Sequence, residues 1–296
     1  MKEEVKSFLI IDGNNLLYSS HYASEKLPWK SFQGAIFLFL RVVISILKKN
    51  DYQKVLVVFD GGGINFRKSL LTTYKAQRES MPETLVNQME ILKSLLVKIN
   101  LPYIQIVNHE ADDIIASFVT QVVEKCPNLI FDIFTRDKDM LQLINQNTNI
   151  LKYINGKITL YNQESFQQEH NFLPSSYVDY LSLLGDQVDN IEGVKGIGPV
   201  NAKLLIRQFS TLENIYQKIN QQTSQLNIPE PIKILLEKNQ ELVFRNKKII
   251  GLEKNISLAF YSFQKYDFNW EEWKNNKEFQ EFCQINRFNS ILKLLS

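Results

Sequence analysis

Four apolar runs in this chain each lead into acidic residues, and that pairing constrains the fold more than any other feature. Phe8-Leu9-Ile10-Ile11 ends at Asp12, and Val55-Leu56-Val57-Val58-Phe59 ends at Asp60. Ile130-Phe131-Asp132-Ile133-Phe134 is followed by Asp137 and Asp139, and Tyr103-Ile104-Gln105-Ile106-Val107 leads to Glu110-Ala111-Asp112-Asp113. A further pair, Asp186 and Asp189, follows an apolar, helix-like segment. Short apolar runs of this kind read as buried strands. Carboxylates gathered at strand ends repel one another and raise each other's pKa. A chain avoids that arrangement unless a multivalent cation sits among them, so the pattern points to a divalent-metal site.

The order strand, helix, strand, helix through residue 150 is that of an α/β fold with a mainly parallel sheet. Strands are expected near 7–11, 54–59, 103–107 and 129–134, and helices near 32–49, from Pro82-Glu83 to Ile99, and from the Glu110 motif onward. Between Gly61-Gly62-Gly63 and Ser80 the chain is polar and basic, with no clear place in a core. Asn155-Gly156 between two β-runs is a two-residue hairpin signal. After Pro174 the chain reads as helical, apart from a strand near 256–260, a capping box of Ser210 and Glu213, and a Gln/Asn-rich loop over 217–227. Ligands of open α/β sheets bind beyond the carboxyl ends of the strands, which is where Asp12, Asp60, Glu110, Asp112, Asp137 and Asp139 are expected to converge.

At 296 residues the chain can hold one large domain or a domain with a smaller attachment. Its richest apolar stretch, from Ala35 to Leu47, is broken by Arg41 and Ser45, so no transmembrane span is expected. Nor does a start carrying Lys2, Glu3, Glu4 and Lys6 read as a signal peptide. Cys126 and Cys283 lack motif spacing and read as reduced thiols of a cytoplasmic protein. Net charge is +2, but setting aside the nine candidate site acids leaves 34 basic against 23 acidic side chains. A surplus of that sign away from the acids favours a polyanionic partner.

Hard divalent cations prefer carboxylate oxygens, and seven to nine acids suit the shells of two ions. Taken singly, any of these aspartates could be a helix cap, Asp113 among them; four strand ends together make that reading a poor one. A second motif, Gly193-Val194-Lys195-Gly196-Ile197-Gly198 followed by Ala202-Lys203-Leu204-Leu205, reads as a tight turn between helices. Its backbone N–H groups, with Lys195 and Lys203, would hold phosphates without reading bases. A third segment carries Phe66-Arg67-Lys68 and Tyr74-Lys75-Ala76-Gln77-Arg78, basic residues able to clamp a scissile phosphate. His21 and Tyr22 could stack on a base, or simply pack.

In chain order, Asp12-Gly13-Asn14, Val58-Phe59-Asp60, Phe66-Arg67, Tyr74-Lys75-Ala76 with Arg78, Met81-Pro82-Glu83, the Glu110 motif, Thr135-Arg136-Asp137-Lys138-Asp139, Gly185-Asp186-Gln187 with Asp189-Asn190, and the glycine turn make up a set. Together they resemble the 5′→3′ exonuclease domain of bacterial DNA polymerase I, within the flap endonuclease superfamily, over nearly the whole chain. The resemblance implies a PIN-like core over 1–173 with a helical arch at 61–88. It also implies a helical DNA-binding region over 174–296, with a helix–three-turn–helix near 180–208. It assigns Asp12, Asp60, Glu110, Asp112 and Asp113 to a first metal, and Asp137, Asp139, Asp186 and Asp189 to a second, Mg²⁺ or Mn²⁺. Lys75 and Arg78 would act on the phosphate, with Arg67 and Lys68 nearby, and residues 196–198 would hold the duplex backbone with a K⁺ ion.

The implied activity is two-metal hydrolysis at 5′ flaps and at 5′ ends of nicked, gapped or RNA-primed duplex in replication and repair. It implies a monomer used at the nucleoid beside a DNA polymerase. Ser19 stands where the family carries arginine, and His21-Tyr22-Ala23 where it carries Phe-His-Ala. Three other readings fit the residues less well. A non-catalytic binder of branched DNA gains nothing from nine clustered acids. In an Asp-x-Asp phosphatase the two aspartates would follow the strand at once, with Thr or Val where this chain has Leu141. An RNA-cutting PIN enzyme has no need of the glycine turn.

Overall fold

Strands buried on both sides must be apolar at every position, and here successive residues serve different layers. The computed structural model describes residues 7–27, 33–154, 156–221, 228–258 and 263–296. Strand β1 (Ser7–Asp12) runs directly into α1 (Gly13–Ser24), and α2 (Gly34–Leu47) returns the chain to β2 (Lys54–Asp60). There follow α3 (Phe66–Leu70), α4 (Glu83–Lys98), β3 (Tyr103–Ile106), α5 (Ala111–Lys125), β4 (Ile130–Phe134), β5 (Thr148–Ile154), β6 (Lys157–Tyr161) and α6 (Gln163–His170). The six strands form one sheet in the order β3-β2-β1-β4-β5-β6, parallel except for β6. From β1 the chain builds outward to β2 and β3, then returns to the other side of β1 to lay down β4 and β5. The crevice beyond Asp12 is thus the topological switch point of the sheet.

The second half begins with α7 (Tyr177–Leu184), a short hairpin of β7 (Gly185–Asp186) and β8 (Ile191–Glu192), and α8 (Pro199–Phe209). It continues with α9 (Leu212–Asn220), α10 (Glu230–Lys238), α11 (Gln240–Ile250), α12 (Trp270–Lys274), α13 (Lys277–Ile285) and α14 (Asn289–Leu295). Phe8, Ile10, Leu56 and Val58 pack with α5 and with residues of α7 to α11, such as Leu181, Leu205 and Ile249. Leu9, Ile11, Val55 and Val57 face the other way, in one cluster with α1, α2 and α4 that the last three helices join through Trp273, Phe279 and Ile291. The final helices therefore pack on the outside of α2 and α4, on the side of the sheet opposite α7 to α11. Among the described residues no helix is long and apolar enough to cross a membrane.

Several local expectations change. Helix α1 was not anticipated, because Gly13, Asn14 and Asn15 are poor helix formers; the Asp12 side chain caps it by accepting from Asn15 N at 3.1 Å. Thr211, not Ser210, caps α9, accepting from Asn214 N, and Ser210 instead ends α8 at a positive φ of 68°. Residues 217–220 are the last turn of α9 rather than loop, and 222–227 lie outside the described residues. No strand forms over 256–258, while 259 and 260 are not described. The β5–β6 hairpin is present, with Ile154 paired to Lys157 and Gly156 at φ +79°; Asn155 itself is outside the described residues. Over 61–88 the chain consists of α3, a run of turns, and the opening of α4.

Candidate metal centre

Backbone hydrogen bonds fix one carboxylate after another along the carboxyl edge of the sheet. Besides capping α1, Asp12 accepts from Thr135 Oγ1 at 2.8 Å. Thr135 Oγ1 also accepts from Asp137 N at 3.0 Å, and Asp137 Oδ1 from Asp139 N at 2.9 Å. Asp60 Oδ1 accepts from Ala111 N at 2.7 Å at the start of α5, and Asp60 N donates to Asn14 Oδ1 at 3.0 Å. These bonds tie the ends of β1, β2 and β4 to α1 and α5. The β7–β8 hairpin contributes Asp186, which accepts from Val188 N at 3.0 Å, and Asp189 in its turn.

Two groups of three acids form there. Glu110, Asp112 and Asp113 place oxygens within 4.8 Å of one another, and so do Asp139, Asp186 and Asp189. Burial, reinforced by Asp60, holds the Asp12 carboxyl up at about 7. Burial with Asp137, Asp186 and Asp189 holds Asp139 up at about 8. Burial also raises Asp60, and burial with Asp113 raises Asp112 well above the usual range. Asp137 acts on both sides, since its charge helps raise Asp12 as well as Asp139 and Asp189. Asp139 Oδ1 is buried with no hydrogen-bond partner. Unpaired buried acceptors and mutually repelling carboxylates are costly, and hard oxygen donors of this number suit divalent cations. The residues present fit such ions.

Basic side chains lean on the acids. Lys75 Nζ donates to Glu110 Oε1 at 2.8 Å and lies 3.9 Å from Asp189 Oδ2. Arg78 Nη2 donates to Asp189 Oδ1 at 2.6 Å, and Lys138 Nζ lies 3.1 Å from Asp186 Oδ1. Burial works to lower the Lys75 pKa, but Glu110, Asp112 and Asp189 outweigh it and the ammonium stays charged. Lys75 has φ +53°, in the left-handed region that costs a non-glycine residue energy. Its N–H donates to Asp189 O at 3.1 Å, and Asn190 Nδ2 donates to Thr73 O at 2.9 Å, so the turn carrying Lys75 is held against the β7–β8 hairpin. Asp12, Asp60, Glu110, Asp112, Lys75 and Arg78 all line one cleft of about 750 Å³.

The sequence matches the family described as "5'-3' exonuclease, N-terminal resolvase-like domain" over residues 7–171, and its "C-terminal SAM fold" over residues 172–276. The chain belongs to the 5′-3′ exonuclease family. It is 36% identical over 254 residues to the 5′-3′ exonuclease of Buchnera aphidicola, covering 84% of this chain and 87% of that one. It is 32% identical over 294 residues to DNA polymerase I of Caldicellulosiruptor bescii, where 97% of this chain spans 33% of the polymerase. In fold it is similar to bacteriophage T5 D15 flap endonuclease, solved in a complex with DNA and metal ions, at TM-score 0.64 and 22% identity, covering 98% and 99% of the two chains. It is also similar to the catalytic core of Rad2 in complex with DNA substrate, at TM-score 0.59 and 18% identity, covering 99% of this chain and 92% of that one.

Within this 5′-3′ exonuclease family chain, not every expected residue reaches the cleft. Arg67 is 2% exposed rather than a surface cation. Its guanidinium meets both oxygens of Asp113 at 2.5 and 2.7 Å, approaches Glu110 Oε2 at 3.2 Å, and donates through Nε to Ile249 O. Asp113 also accepts from Glu253 N at 2.8 Å. Arg67 is therefore corrected from a DNA contact to a buried tie, and the Asp113 carboxylate is taken up by that tie. His21 lies on the buried side of α1, while Ser19 and Tyr22 line the cleft. Ile197 turns inward at 4% exposure and donates its N–H to Val194 O, so it is not presented to a ligand; Lys68, Lys195, Gly196 and Gly198 are exposed, and Lys203 half-buried. Sequence reasoning gave no role to Thr135, Asn14 or Asn15, although all three stand within three residues of a strand-end acid. Nor did it single out Tyr74, whose hydroxyl donates to Glu110 Oε2 at 3.1 Å.

Proposed function

We propose that this chain is a structure-specific 5′ nuclease that hydrolyses phosphodiesters at 5′ flaps and at 5′ ends of nicked or gapped duplex DNA. The observation that carries this reading is the buried Asp139–Asp186–Asp189 group, with its orphaned Asp139 oxygen, beside Asp12, Asp60, Glu110 and Asp112 under two basic side chains. Asp12, Asp60, Glu110 and Asp112 would hold one Mg²⁺ or Mn²⁺ ion, with Asp113 and Arg67 behind them, and Asp137, Asp139, Asp186 and Asp189 the other. When bound, the ions supply Lewis acidity for attack of water on phosphorus and for departure of the 3′ oxygen.

The protein's own residues do the rest. Lys75 and Arg78 pass from their carboxylates to the scissile phosphate and offset its charge. Tyr74 and Thr135 hold Glu110, Asp12 and Asp137 in place. The turn over 193–198, with Lys195 and Lys203, would take the duplex backbone and could hold a K⁺ ion there. The nuclease core extends over 1–173 with its arch at 61–88, and the helical region over 174–296. The Caldicellulosiruptor and Borreliella burgdorferi DNA polymerase I relatives support use alongside a polymerase; the same reading makes the chain a cytoplasmic monomer that also meets RNA-primed strands.

The test is cleavage of an end-labelled 5′-flap duplex in Mg²⁺, with EDTA and an Asp137→Asn variant alongside. Metal-dependent cutting near the branch, lost in the variant while DNA binding persists, is expected. Tight binding with no cutting in Mg²⁺ or Mn²⁺ would replace the nuclease by a branched-DNA binder.

A further inference from the structure

The acidic cleft repels a polyanion, and most of the cations around it are already engaged. Lys75 is held by Glu110, Arg78 by Asp189 and Lys138 by Asp186. Arg136 lines the same cleft, is exposed, and forms no ion pair among the described residues. Its backbone is pinned, because Arg136 N donates to Asn15 Oδ1 at 3.1 Å. The residues on either side of it are joined by the bond from Asp137 N to Thr135 Oγ1. The neighbouring wall comes from α1, which contributes Tyr18, Ser19 and Tyr22 and contains no lysine or arginine. Of the three basic side chains that line the cleft, Lys75, Arg78 and Arg136, Arg136 alone has no carboxylate partner among the described residues.

We propose that Arg136 binds a phosphate of the substrate strand next to the scissile one, on the α1 side of the cleft. The inference rests on the nuclease reading above and adds a substrate contact to it. A planar guanidinium offers paired donors that match phosphate oxygens. A donor group fixed at its backbone and free of carboxylates can meet that phosphate without first breaking an ion pair. Lys75 and Arg78 differ in this respect, since each must leave an acid before it can act.

The experiment compares wild type, Arg136→Gln and Arg136→Lys on a 5′-flap duplex. It measures steady-state cleavage in Mg²⁺, and binding in EDTA across a range of KCl. For Arg136→Gln, kcat/KM is expected to fall about tenfold, with the loss in KM. The slope of log Kd against log salt should become shallower by about 0.7–0.9, one phosphate contact, and Arg136→Lys should restore it. A KM and slope equal to wild type would overturn the proposal. So would a loss confined to kcat at unchanged slope, which would mean that the change acts through Asp137. If wild type fails to cut the flap in Mg²⁺, the nuclease reading falls, and the salt slope in EDTA still decides whether Arg136 touches the strand.

Discussion

Asp12 and Asp139 set the pH behaviour of the centre. In the folded chain their carboxyls sit at about 7 and about 8, against an ordinary 3.8. Across that window the folded state keeps protons that the unfolded state has released, so their contribution makes the metal-free protein less stable as pH rises. A divalent cation replaces those protons, and its affinity should strengthen over the same window. The thermal midpoint of the metal-free protein is expected to fall between about pH 5.5 and 8, while the increase produced by Mg²⁺ grows; a Mg²⁺ increase independent of pH would contradict this. Arg67 belongs to the same scale. Removing it leaves Asp113 buried without its partner, so Arg67→Met should cost about 3–5 kcal/mol in urea unfolding. Lys68→Ala should change stability by less than about 0.5 kcal/mol. A loss below about 1 kcal/mol in Arg67→Met would remove the structural role given to that pair.

Acids at strand ends were legible because the signal is local: an apolar run and the residue after it are read together. Arg67 was not, because its neighbours in sequence, Phe66 and Lys68, are those of a solvated basic run. Its partners lie 46 residues away at Asp113 and 182 away at Ile249. The glycine turn was legible as a turn, but its glycines differ in what they do. A Cβ on Gly193 would meet Leu184 O at 2.0 Å, and Gly196 sits at φ +98°, whereas nothing lies within 4 Å of a Cβ on Gly198. Gly193→Ala should therefore disrupt the β7–β8 hairpin that carries Asp186 and Asp189. Gly198→Val should fold normally and keep its Mn²⁺ affinity, but bind duplex DNA about tenfold more weakly, because bulk on the exposed turn keeps a phosphate backbone at a distance. Unchanged duplex affinity in Gly198→Val would argue that this turn does not hold DNA.

Across the whole molecule, each half of the sequence supplies part of the other's core. The helical second half provides Asp186 and Asp189 to a centre otherwise built from β1, β2, β4 and α5. Its last three helices return to pack on α2 and α4, in one apolar cluster with Leu9, Ile11, Val55 and Val57. That return was not legible, since periodicity shows that a helix has an apolar face but not which surface it meets. If these distant carboxylates form a centre for two cations, a Mn²⁺ binding isotherm by calorimetry shows it most directly. Two ions per chain are predicted for wild type and one for Asp186→Asn, with Glu110 and Asp112 still holding theirs. No specific binding, or the same stoichiometry in both proteins, would contradict it.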